Sequence, residues 1–225
     1  MKTVFLSALL LLAAPALTAE TPATGILVAG QLRAGRVDTD TPPDLREAVV
    51  FFRSASVAAA LPGADAEMRM SGKAFAPGVL AITAGTLVRF PNTDPILHNA
   101  FSTSPQGEFD LGFYGAGESR ERRFDTPGLV RVYCNVHHGM VGYVMVLDTP
   151  FFTQPDADGR FLLRLPRGVK GTLYVWHPQA AALREEIDTA ADRSLELPVD
   201  FTGRRLPRHL NKFGKHYGQR TQRQY

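Results

Sequence analysis

The chain of 225 residues contains one cysteine, Cys134. A single cysteine cannot close an internal disulfide, so packing alone must hold the fold, and an exported chain with a lone thiol needs a use for it. Long apolar runs are missing as well. Val4–Leu12 is too short to span a bilayer, and no later run is long enough either. Catalytic signatures are absent: no nucleophile elbow, no P-loop, no zinc-hydrolase motif and no carboxylate pair at a defined spacing. The chain therefore reads as a non-enzyme. Asp156-Ala157-Asp158-Gly159 has the look of a calcium loop, but its glycine is misplaced and no Glu follows at the required distance, so it reads as a hairpin turn. Acidic residues are missing from Thr202–Tyr225, which holds seven Lys and Arg. Setting those and Lys2 aside leaves a formal charge of −5 on residues 20–201.

Residues 1–19 read as an export signal. Lys2 supplies the basic start, Val4–Leu12 the apolar centre, and Ala14-Pro15-Ala16 or Leu17-Thr18-Ala19 the small-residue cleavage site. No lipobox cysteine follows, so the mature chain is expected in the periplasm without a lipid anchor.

Helix signals are scarce and strand signals frequent. Gly25–Val28, Ala48–Phe52, Val79–Thr83 and Thr86–Phe90 are rich in β-branched and aromatic residues and bounded by Gly, Pro or Asp. Leu129–Cys134 alternates, placing Val130, Val132 and Cys134 on one face and Arg131 on the other. Val141–Leu147 is nearly all apolar, the pattern of a central strand buried on both sides. Phe151–Thr153, Phe161–Leu165 and Thr172–Trp176 follow, and Ala180–Ile187 reads as one short helix. The expected architecture is all-β.

The chemistry concentrates in Cys134-Asn135-Val136-His137-His138-Gly139-Met140, with His98-Asn99 upstream. A thiolate, two imidazoles and a thioether are the donors that suit copper in one-electron transfer, with a weak axial Met raising the potential above that of a harder oxygen donor. The Cys-x2-His-x2-Met spacing lets one tight loop present three donors while the fourth arrives from elsewhere. The competing reading is a buried free Cys beside a surface His and a core Met. The residue counts limit the copper chemistry further: one cysteine excludes a dinuclear thiolate-bridged site, and the absence of a His-x-His pair excludes a trinuclear cluster.

Phe90-Pro91-Asn92, His98-Asn99 and Tyr133-Cys134-Asn135-Val136-His137 with Met140 resemble the cupredoxins, the group of plastocyanin, amicyanin and pseudoazurin. The short Cys-x2-His-x2-Met loop is closest to the amicyanin type. Phe109-Asp110-Leu111-Gly112 and Asp148-Thr149-Pro150-Phe151-Phe152 widen the resemblance to bacterial exported proteins of the methylamine-utilisation or plastocyanin-like kind, over roughly residues 73–177. It implies a Greek-key cupredoxin sandwich and one mononuclear type 1 copper bound by His98, Cys134 and His137 with Met140 axial. It also implies that Asn99 ties the His loop to the Cys loop. Many relatives carry Pro after the second His, where this chain has His138.

The implied function is a one-electron carrier working with a protein redox partner, a cytochrome or dehydrogenase. The alternative is a copper metallochaperone or storage protein. The expected division is a copper domain over 20–148, a small β module over 149–201 and a basic, mobile tail over 202–225. Pairing of the Gly25–Phe52 strands with the later module is the second possibility for the boundary. The tail is read either as a solubilising segment or as an electrostatic arm for an acidic partner or an anionic surface. An exported chain leaves no role for nucleic acid. His177, Met68 and Met70 are expected to be structural.

Overall fold

The computed structural model describes residues 25–38, 43–59, 63–201 and 211–212. The segment read as an export signal and most of the basic tail lie outside them. Among the described residues the helical content is one short turn, Leu45–Glu47; the rest of the regular structure is strand. In chain order the strands are β1 (Gly25–Val37), β2 (Val49–Arg53), β3 (Ala66–Glu67), β4 (Arg69–Ser71), β5 (Ala74–Ala76) and β6 (Val79–Thr83). Next come β7 (Thr86–Pro91), β8 (His98–Ser102), β9 (Phe109–Tyr114), β10 (Ser119–Phe124), β11 (Gly128–Tyr133) and β12 (Val141–Leu147). The last are β13 (Phe152–Thr153), β14 (Arg160–Pro166), β15 (Lys170–Trp176), β16 (Leu183–Asp188) and β17 (Arg193–Phe201).

Two sandwiches share the chain. In the first, the sheet β6-β12-β11-β8-β9 faces the sheet β10-β7-β3. Between them lies a core of Ile82, Val88, Phe90, Ala100, Phe124, Val130, Val132, Val144 and Val146. Met68 and Met70 belong to this core and are fully buried, as structural methionines should be. In the second sandwich, β14-β1-β17 packs on β13-β2-β15-β16. Its core includes Ile26, Val28, Val50, Phe52, Leu163, Leu173 and Val175.

The strand pairing departs from a division at residue 148. β1 runs antiparallel to β14 and parallel to β17, and β2 lies between β13 and β15. Residues 25–53 therefore complete the later sandwich, and residues 66–147 are inserted between its strands β2 and β13. The physical reason is core size: about fifty residues after Pro150 bury too little apolar surface to stand alone, and β1 and β2 supply the missing faces.

Period-two alternation then joins the two sandwiches. On β2, Val50 and Phe52 face the later core while Val49 and Phe51 face a third cluster. On β12, Val144 and Val146 face the first core while Tyr143, Met145 and Leu147 face the same third cluster. β12 is thus buried on both sides, as its composition predicts. The expected helix at Ala180–Ile187 is instead largely strand: Leu183–Asp188 pairs antiparallel with β15. Helix-favouring Leu, Arg and Glu yield there to sheet pairing that sends Ile187 into the core.

Candidate metal centre

β8 lies between β9 and β11, with Tyr133 opposite Phe101. Strand alternation sends His98 and Ala100 to the core face, and Val130, Val132 and Cys134 reach that same face from β11. The first imidazole and the thiol therefore meet at one end of the sandwich, both fully buried.

The remaining donors come from a tightly tied loop. The Cys134 N–H donates to the Met140 carbonyl at 3.2 Å, and the Met140 N–H donates to the His137 carbonyl at 2.9 Å. These two bonds fold the loop back so that His137 faces the sulfur. Met140 is buried in the core beside Cys134, whereas His137 is half-buried and His138 is exposed.

Three donor atoms define the centre. Cys134 Sγ lies 3.7 Å from His98 Nδ1 and 3.8 Å from His137 Nδ1, and the two Nδ1 atoms are 3.2 Å apart. The middle of a triangle with those edges is about 2 Å from each corner, close to a metal–imidazole or metal–thiolate bond length. A soft sulfur with two imidazoles and a thioether nearby is the donor chemistry of a type 1 copper site, so the residues fit copper. Burial, together with the positive charge of Lys73, lowers the pKa of the His137 imidazole and so favours the neutral form that a ligand requires.

The first histidine has a partner that sequence reading did not single out. Asp94 Oδ2 lies 2.8 Å from His98 Nε2. Asp94 itself accepts the N–H groups of Gly72 at 2.7 Å and Lys73 at 2.8 Å. The Lys73 N–H, the bond to His98 and the Gly72 N–H hold the Asp94 carboxyl down at about 2, so it is an acceptor only. His98 Nε2 must then carry the proton, leaving Nδ1 free to point at the sulfur. A carboxylate behind a ligating imidazole fixes the tautomer and raises ligand basicity. Asn92 shapes the loop that carries Asp94: its Nδ2 donates to the carbonyls of Ile96 and Tyr114, and its Oδ1 accepts the Asp94 N–H.

Asn99 links the segments that carry His98 and Cys134. Its Oδ1 accepts the Asn135 N–H at 3.3 Å, and its Nδ2 donates to Asp110 Oδ1 at 2.7 Å and to the Gly112 carbonyl at 2.9 Å. His177 is far from this site in the fold. It is buried in the later sandwich, with Nε2 3.1 Å from the Asp44 carbonyl and Nδ1 accepting the Gln179 N–H.

No protein-family model matches the chain, and no curated protein matches it. Solved structures do. A novel purple cupredoxin from Nitrosopumilus maritimus is 29% identical, covering 36% of this chain and 99% of that one, with a TM-score of 0.34. A copper-containing nitrite reductase from Thermus scotoductus SA-01 is 30% identical over 43% of this chain and 26% of that one, with a TM-score of 0.37. A reduced amicyanin variant is 20% identical over 43% of this chain and 97% of its own, with a TM-score of 0.34.

Proposed function

We propose that this chain is an exported, periplasmic one-electron carrier built on a type 1 copper site, with His98, Cys134 and His137 as ligands and Met140 in the axial position. When bound, copper supplies a Cu(II)/Cu(I) couple; the protein supplies a fixed frame for it. The observation that carries the reading is the closed donor triangle of Cys134, His98 and His137, two of whose members are fully buried. A substrate would need an open coordination position, and metal delivery would need an exchangeable one. A loop tied at both ends against a rigid sheet favours neither. His137 is the one half-buried ligand, and Leu97, Phe113 and Val136 are exposed apolar side chains on the segments that hold the site. They support a docking face for a protein redox partner around the His137 ring edge.

Copper loading tests the proposal. The Cu(II) protein should show the intense visible thiolate-to-copper band of a blue or green centre, and Cys134→Ser should abolish it. A reversible couple with negligible copper release supports the carrier. Rapid transfer of Cu(I) to an acceptor without redox turnover would support the metallochaperone instead, and a colourless wild-type Cu(II) complex would end the type 1 assignment.

A further inference from the structure

Lys212 comes from the C-terminal segment that the sequence marks as a mobile basic arm, yet it is seated beside the metal centre. Its backbone N–H donates to Asn135 Oδ1 at 3.0 Å. Its ammonium donates to Asp110 Oδ2 at 2.7 Å and lies 4.7 Å from the centre of the Phe113 ring. The Lys212 side chain is only 15% exposed, whereas its partner Asp110 is 41% exposed, so the pair is sheltered on the lysine side.

These contacts close a ring. Asn135 follows Cys134 and donates its N–H to Asn99; Asn99 follows His98 and donates to Asp110; Asp110 accepts from Lys212; and Lys212 donates back to Asn135. The Asn135 peptide N–H, next to Cys134, and the Asn99 side-chain amide, next to His98, are therefore members of one hydrogen-bonded circuit, and Lys212 is its closing link. The circuit is charge-assisted at one corner, where a part-buried ammonium meets a carboxylate.

We propose that Lys212 is a positioning residue of the metal centre, clamping the Cys134–Met140 loop to the His98 strand and adding a positive charge that favours the reduced, less positive form of the site. The electrostatic half rests on the copper reading above; the clamp does not. Asp110 shows the balance of forces. Burial pushes its carboxyl up, and the bonds from Lys212, the Gly112 N–H and Asn99 together overcome that and hold it below the usual carboxylate value. Removing the ammonium while leaving Asp110 would put an uncompensated negative charge beside the site.

The test uses the full chain in four forms: wild type, Lys212→Met, Lys212→Arg, and Lys212→Met combined with Asp110→Asn. In the metal-free protein, amide exchange over residues 134–140 should quicken at least about tenfold in Lys212→Met, the loss of roughly one charge-assisted bond. Lys212→Arg should restore slow exchange. In the copper-loaded protein, Lys212→Met should lower the reduction equilibrium constant by about tenfold, ~59 mV for one electron. Neutralising Asp110 as well should bring the potential back toward wild type while exchange stays fast. A structural role alone would not separate the two readouts in this way. Unchanged exchange in Lys212→Met would overturn the clamp whether or not copper binds. Fast exchange with an unchanged potential would overturn the electrostatic half, and a colourless wild-type Cu(II) complex would defeat the copper reading while the exchange result still decided the clamp.

Discussion

At the scale of single residues, the centre divides into donors that sequence spacing reveals and supports that it hides. Cys134, His137 and Met140 lie within one short loop, and His98 precedes an Asn in a Pro-bounded context, so donor chemistry alone brings them together. Asp94 carries no such mark. An aspartate between Thr93 and Pro95 is an ordinary turn residue until the Gly72-Lys73 turn supplies two N–H groups that aim it at His98. Lys212 is hidden for a different reason, since its partners lie 77 and 102 positions away and nothing local encodes the meeting. The Asp94 carboxylate also makes a prediction. By accepting from Nε2 it makes His98 a stronger donor and favours Cu(II) over Cu(I). Asp94→Asn should therefore raise the midpoint potential and weaken metal affinity by roughly 10–100-fold. Spectroelectrochemistry and a competition titration would measure both, and a potential that does not move would reduce Asp94 to a loop anchor.

At the scale of elements, alternation and β-rich composition are the reliable signals and helix propensity the unreliable one. Val141–Leu147 forms a strand over the residues its pattern marks, and the Val130, Val132 and Cys134 face is buried as a period of two requires. The helix expected at Ala180–Ile187 rested on helix-favouring residues at a sheet edge, where pairing with β15 decided the outcome. β17 escaped notice because Pro198 interrupts a pattern that otherwise alternates, yet it serves as an edge strand beside β1, where proline is tolerated. The two faces of β12 separate stability from the site. Met145 is buried in the cluster between the sandwiches, away from the donor core. Met145→Ala should cost about 2–5 kcal/mol in chemical unfolding. It should leave the visible spectrum of the copper protein unchanged, and a shifted band would show that the two faces are not independent.

At the scale of the whole molecule, one sandwich is inserted between strands of another, and a shared cluster lies where they meet. Val49, Phe51, Tyr174 and Trp176 come from the outer sandwich, and Val79, Tyr143, Met145 and Leu147 from the inserted one. Neither group can leave without exposing the other to water, so the two sandwiches should unfold as one cooperative unit. The sole tryptophan reports on this junction, because the Trp176 ring packs edge-on against Tyr143 with centroids 5.5 Å apart. Metal binding to the native state should then stabilise both halves together, by about 2.7 kcal/mol at a free metal concentration one hundred times the dissociation constant. Trp176 fluorescence and far-ultraviolet circular dichroism should give coincident denaturation curves, and copper should move both midpoints by the same amount. The comparison is sharp because Trp176 belongs to the outer sandwich, whereas His98, Cys134 and His137 belong to the inserted one. If the sandwiches were independent, circular dichroism would show two steps and copper would shift only one, leaving the unfolding of the outer sandwich where it was. That outcome would leave the ligand triangle intact but reduce the shared cluster to a surface contact.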